Sequence, residues 1–234
     1  MRIIRGADGC KGGWIAITKN IDTGDITWQL CKNARELIYQ EPEPRIIAVD
    51  IPIGLPEQGP RMCDQAARKL LGTPRASSVF PAPIRPVLAA RSYVDACHIR
   101  YQIEGKKVSQ QAWHIISKIK DMDECLRQQP ESQSRVHEVH PEVCFCFMAD
   151  QHAMRLNKKS HAGREERITL LEPIFGECIA AALAERHQLA SGADDVLDAF
   201  AALWTAERIL SGISQTIPPE PPVDDCGLYM EIVV

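Results

Sequence analysis

Four carboxylates stand where a chain commonly assembles chemistry: Asp8, Asp50, Asp195 and Asp198. Asp8 and Asp50 each close an apolar run of strand character, and the carboxyl ends of parallel strands in open α/β sheets are where ligands gather. Asp195 and Asp198 are three residues apart, so on a helix they share one face and can address the same site. If the two strands are parallel neighbours, their aspartates lie side by side. Like charges at that spacing repel, and a divalent cation that prefers oxygen ligands neutralises them most directly. The expected guest is Mg²⁺ or Mn²⁺. Two such ions about 3.5 to 4 Å apart clamp the attacking and leaving oxygens of an in-line phosphoryl displacement, chemistry that needs three or four convergent acids. Singly, each acid has an ordinary alternative: Asp8 closing a tight turn, Asp195 with Asp194 capping a helix.

The elements that must position these acids can be read from periodicity. Residues 2–8, 14–19 and 25–30 form an antiparallel meander, separated by Gly9-Cys10-Lys11-Gly12-Gly13 and Asp22-Thr23-Gly24. Asn33 caps a short helix over 34–40, and residues 45–50 form a strand buried on both faces. A long connection follows, with helices expected over 62–71, 86–101 and from Ser109 onward, where Trp113, Ile116, Ile119, Met122 and Leu126 recur at near-helical spacing. A strand over 135–140 is ended by Pro141; a helix over 163–187, kinked at Pro173, and another over 194–210 come next. A proline-rich connection over 217–222 leads to a last apolar segment, 228–234. This order is that of an α/β protein with a mixed sheet. One domain is expected over residues 1–234, with a helical insertion at about 57–133 that could cover the site or join two copies in a homo-oligomer.

Composition bounds the function. At 45% hydrophobic and 25% charged residues, disorder, collagen and coiled coil are excluded. A net charge of −4 provides no global basic field, so a polyanion must meet a local patch. No apolar stretch is long enough for a signal peptide or a membrane span, which leads to an expectation of a cytoplasmic protein without a membrane partner. The nine cysteines are scattered without a CxxC pair and suit reduced, mostly buried thiols.

Five motifs occur in order: Gly6-Ala7-Asp8-Gly9-Cys10-Lys11-Gly12-Gly13-Trp14, Val49-Asp50-Ile51-Pro52-Ile53-Gly54-Leu55-Pro56, Ser78-Val79-Phe80-Pro81-Ala82-Pro83, Glu138-Val139-His140-Pro141-Glu142 and Asp194-Asp195-Val196-Leu197-Asp198-Ala199. Together they resemble a family of uncharacterised bacterial and archaeal proteins described as predicted nucleases with a ribonuclease H fold, over residues 3–210. The resemblance implies a ribonuclease H-like mixed sheet, an antiparallel three-strand meander followed by parallel strands, with helices on both faces. It also implies a metal-dependent nuclease hydrolysing phosphodiester bonds, with Asp8, Asp50, Asp195 and Asp198 as ligands of Mg²⁺ or Mn²⁺. The fourth-strand acid is often Glu in that superfamily, and Asp50 is one methylene shorter.

Glu138 and His140 alternate with Val139 and so face one side of their strand. Glu138 is a candidate further ligand or base and His140 a candidate for positioning a phosphate or water; the alternative is a buried acid and imidazole bonded to each other. Cys144 and Cys146 with the nearby histidines fit no usual zinc spacing and are expected in the core. The segment 155–167 carries five Lys or Arg against two Glu, and 61–91 carries six against one Asp. Lys158, Lys159 and Arg164 are the candidate substrate contacts, because a few cations near the metals suffice to position a nucleic acid or nucleotide. The glycines of 9–13 also resemble the phosphate loop of sugar kinases, but one copy of the fold cannot close that cleft. A non-catalytic or small-nucleotide-binding module with an acidic pocket is the second expectation, favoured by the acidic net charge because affinity for long polyanions rests on many Lys or Arg contacts.

Overall fold

The computed structural model describes residues 1–234. Its sheet is built from β1 (Ile3–Cys10), β2 (Gly13–Asn20), β3 (Ile26–Cys31), β4 (Ile46–Asp50) and β5 (Val136–Glu138) in the order β3-β2-β1-β4-β5. The meander is antiparallel, as its short glycine turns require, while β4 runs parallel to β1 and β5 parallel to β4. β1 is thus the central strand, buried along nearly its whole length, Arg5 included, and it meets helices on both sides.

Period-two alternation sorts those contacts. Ala7, Ile47 and Val49 pack with α1 (Ala34–Tyr39) and α4 (Gln110–Gln128) on one face. Ile4 and Ala48 pack with α5 (Pro141–Met148), α6 (His161–Phe175), α7 (Cys178–Glu185) and α8 (Ala193–Leu210) on the other. Asn33 and Ser109 cap α1 and α4, accepting the N–H groups of Glu36 and Ala112. Ile116, Ile119, Met122 and Leu126 form the buried stripe of α4, so this part of the long connection roofs the sheet. The remainder of the connection contains α2 (Met62–Arg75) and α3 (Tyr93–Glu104). β6 (Thr216–Ile217) and β7 (Ile232–Val233) make a separate small ladder near α2. No helix is long and apolar enough to cross a membrane.

One glycine sets the distance between the sheet and α8. A Cβ on Gly6 would lie 2.1 Å from the Leu203 backbone nitrogen and 2.4 Å from the Ala199 carbonyl oxygen. The helix backbone therefore rests directly on β1, two residues before Asp8 and on the same face of the strand. The buried alanines of α8 (Ala199, Ala202, Ala206) extend that close fit.

Several expected boundaries move. The helix expected over 163–187 is two: α6 ends at Phe175 and the chain turns at Gly176 (φ 56°), so the break falls beyond Pro173, not at it. Pro141 does not merely end a strand; it occupies the first turn of α5, where its missing N–H and fixed φ suit a helix start. Residues 139 and 140 accordingly leave β5. The helix expected over 86–101 is a 3₁₀ turn, Arg85–Ala89, followed by α3, which is capped by Ser92.

Candidate metal centre

Asp8 and Asp50 are register partners at the ends of parallel β1 and β4. Both continue the face of Gly6 and Ala48, where α8 lies. Asp198, one turn into that helix from Asp195, meets them, and one carboxylate oxygen from each of Asp8, Asp50 and Asp198 falls within 4.8 Å of the others. Asp198 is 1% exposed and Asp8 8%.

Three acids so placed make one another harder to ionise. Burial raises Asp8 well above the usual carboxylate range, and Asp50 and Asp198 add to the effect. Burial, then the charge of Asp198, pushes Asp50 up to about 7. Lys158 opposes both, its ammonium lying 2.5 Å from Asp198 Oδ2. Burial by itself lowers the Lys158 ammonium, but Asp198, Asp8 and Asp50 more than reverse this and hold it charged. The other oxygen of Asp198, Oδ1, is buried and has no hydrogen-bond partner. A buried acceptor left unpaired is costly, and here it is in a cluster of oxygen donors suited to Mg²⁺ or Mn²⁺.

Asp195 is placed differently. Its carboxylate accepts the Gly192 N–H at 2.8 Å, closing the first turn of α8, and it lies outside the three-oxygen group. Burial raises it, against the pull of that N–H. Glu138 is also engaged elsewhere: its two oxygens receive Arg61 at 2.6 and 2.7 Å and the Ile53 N–H at 2.6 Å. Arg61 bonds Asp64 as well, so Glu138 serves a buried ion network under the loop that leaves Asp50. The contact between Glu138 and His140 that was the alternative to a functional role is not formed.

His140, Lys158 and Lys159 line one cleft of about 590 Å³ with Asp8 and Asp50. Arg164 does not; its guanidinium binds the Lys159 carbonyl, which steadies the loop before α6. Burial lowers the His140 imidazole, leaving it neutral at pH 7, and its Nδ1 has no partner. Glu142 follows in the first turn of α5, paired with the buried Arg167 at 2.5 Å and with its Oε2 unpartnered. Its charge also raises Asp50. The sequence singled out Pro141-Glu142 only as a motif; the short helix that turns Glu142 toward the cleft was the missing element. Cys144 and Cys146 diverge, Cys144 toward Thr205 of α8 and Cys146 into the cluster with Cys63 and Ile232.

Residues 6–223 match the family model described as "Protein of unknown function (DUF429)". The chain belongs to the DUF429 family. No curated protein and no solved structure matches this DUF429 chain. The matched span takes in all three convergent aspartates, the loop at 75–80 and Lys158.

Proposed function

We propose that this DUF429 protein is a metal-dependent phosphodiesterase of ribonuclease H-like fold, acting on a nucleic acid or nucleotide. The fold reading rests on the order β3-β2-β1-β4-β5 with an antiparallel meander and two parallel strands. The functional reading rests on one observation: Asp8, Asp50 and Asp198 converge from two strand ends and one helix, and a buried Asp198 oxygen has no hydrogen-bond partner.

Asp8, Asp50 and Asp198 would hold Mg²⁺ or Mn²⁺, which supplies charge neutralisation at a phosphoryl oxygen. The chain's own residues do the rest. β1 and β4 hold two carboxylates in fixed register, and the contact of α8 with Gly6 brings the third to them. Lys158 and Lys159 present ammonium groups to the same cleft, where they neutralise further phosphate charge. Neutral His140 can accept a proton from an attacking water. Asp195 supports the site by fixing the start of α8.

The test is titration of wild type and Asp198→Asn with Mn²⁺ by calorimetry, followed by assay of a chromogenic phosphodiester. Saturable binding and turnover that the variant loses support the reading. Equal affinity in both proteins sinks the metal site; metal binding without turnover on diesters or oligonucleotides favours the nucleotide-binding module.

A further inference from the structure

The motif Ser78-Val79-Phe80-Pro81-Ala82-Pro83 has no part in the metal centre, yet it lines the same cleft. Helical geometry in α2 breaks at Gly72 (φ 56°) and Thr73, and the chain from Arg75 to Phe80 then runs along the wall of that cleft. Two side chains of α2 tie this segment down. Arg68 donates to the Val79 carbonyl, and Asp64 accepts the Ala82 N–H at 3.0 Å. Asp64 is itself fixed by Arg61, and Val79 is buried in the cluster of Cys63 and Leu71. The segment is therefore a braced wall with its outward groups held in place.

Those groups are of two kinds. Arg75 forms no ion pair, and its buried Nε has no hydrogen-bond partner. Ser78 adds a hydroxyl beside it, whereas the Ser77 hydroxyl donates to the Pro74 carbonyl at 3.1 Å, and Lys159 adds a second cation without a carboxylate partner. Phe80 presents a half-buried aromatic ring, with Ile115 and the amide of Gln111 contributed by α4. Anion-seeking groups, an aromatic face and an amide in one cleft match a phosphate joined to a planar, hydrogen-bonding base.

Size narrows the ligand further. A cleft of about 590 Å³ is in the range that encloses a small molecule, and of its two metal-centre carboxylates Asp8 is buried and Asp50 half-buried. A single nucleotide fits a cleft of that size, whereas a rigid duplex would have to bring its partner strand with it. The net charge of −4 supplies no overall basic field to hold a long duplex outside.

We propose that Arg75, Ser78 and Phe80 form a nucleoside-phosphate subsite, and that the substrate enters as a single unpaired nucleotide unit, at a strand end or in a small nucleotide that carries a phosphodiester bond. This rests on the phosphodiesterase reading for its chemistry, but the subsite itself binds without turnover. The experiment is calorimetry in Mg²⁺ with thymidine 5′-monophosphate, deoxyribose 5-phosphate, a short single-stranded oligothymidylate and a blunt duplex. The wild type should bind the nucleotide about tenfold more tightly than the base-free sugar phosphate, the gain expected of one stacked base.

Phe80→Ala should erase that gain while keeping sugar-phosphate affinity, and Phe80→Trp should restore it. Arg75→Gln should weaken both ligands alike. The oligothymidylate binding as well as or better than the mononucleotide places the source at a strand end; markedly weaker binding places it in a small nucleotide. Equal affinity of wild type for nucleotide and sugar phosphate, or duplex binding as tight as single-stranded, overturns the subsite. Nucleotide binding with no divalent-ion site would instead overturn the hydrolytic reading and leave the subsite standing.

Discussion

The ammonium of Lys158 sits 2.5 Å from Asp198 Oδ2, so a cation already neutralises the carboxylate that a divalent ion would need. The side chain reaches this position from the irregular segment before α6 and remains 35% exposed, which leaves it room to withdraw toward the cleft. Lys158→Met should raise Mn²⁺ affinity by about tenfold, the equivalent of about 1.4 kcal/mol, because a competing charge is removed. The apo protein should become less stable, since three close acids lose their counter-charge. Calorimetry and thermal melts with and without Mn²⁺ check both. Unchanged affinity would mean that the lysine stands aside from the metal.

Substitution separates the two acids of the Asp-x-x-Asp pair. Asp198→Asn should abolish saturable Mn²⁺ binding while leaving the apo fold as stable or firmer, because it removes like charge from a buried cluster. Asp195→Asn should retain binding and lose about 1 kcal/mol of stability, since its carboxylate closes the first turn of α8. Reversal of these two outcomes, read by calorimetry and chemical denaturation, would move the metal toward the helix start.

Metal affinity should rise with pH up to and just beyond neutrality. Asp50 has a folded-state value of about 7 and Asp8 is raised well above its ordinary value, so at lower pH the ion must displace protons. The same shifts act on the apo fold with the opposite sign. Between the unfolded carboxylate value of about 3.9 and the folded values, the native state holds more protons, so these acids' contribution to stability declines as pH climbs through that window. Calorimetry in buffers of different ionisation enthalpy should report protons released on metal binding near pH 6 and fewer near pH 8.

Glu138 is expected to matter through stability. Arg61→Met leaves Glu138 and Asp64 as buried acids without their cation and should destabilise by about 3 to 5 kcal/mol. Burial pushes Glu138 up to about 7 even against the pull of Arg61, so the unpaired acid would take up a proton more readily still. Glu138→Gln should reduce stability without loss of Mn²⁺ affinity. Denaturant melts beside metal titrations distinguish this from a ligand role.

Gly6→Ala tests how the helix is seated. The added methyl would overlap the backbone at Leu203 and Ala199, which cannot rotate away as a side chain could. A loss of about 1 to 3 kcal/mol is expected from such overpacking, together with weaker metal binding as α8 carries Asp198 off the strand ends. A neutral substitution would show that the helix shifts without disturbing the acids.

Much of this arrangement was legible beforehand. The hydrophobic segment before Asp8 and the continuous apolar run before Asp50 marked strands, and the parallel pairing of those strands makes the two acids partners. The caps Asn33 and Ser109 and the apolar stripe of α4 were visible for the same local reasons. Spacing of three residues could not tell which of Asp195 and Asp198 turns inward, because that depends on the seat of α8 at Gly6. The helix Pro141–Met148 was hidden by its own composition: its apolar residues leave little amphipathic contrast, and a proline reads as a strand end as easily as a helix start. The pairing of Arg61 with Glu138 spans 77 residues, and no local pattern announces it.

The three convergent aspartates are also far apart along the chain: residues 8, 50 and 198. During synthesis the first two emerge early and lie as neighbouring acids with no third partner. Only when α8 has left the ribosome can the central strand receive its helix and the carboxylates converge. A nascent chain therefore has no three-acid cluster until its last long helix is made, and the proposed ion would be captured only after that helix is in place.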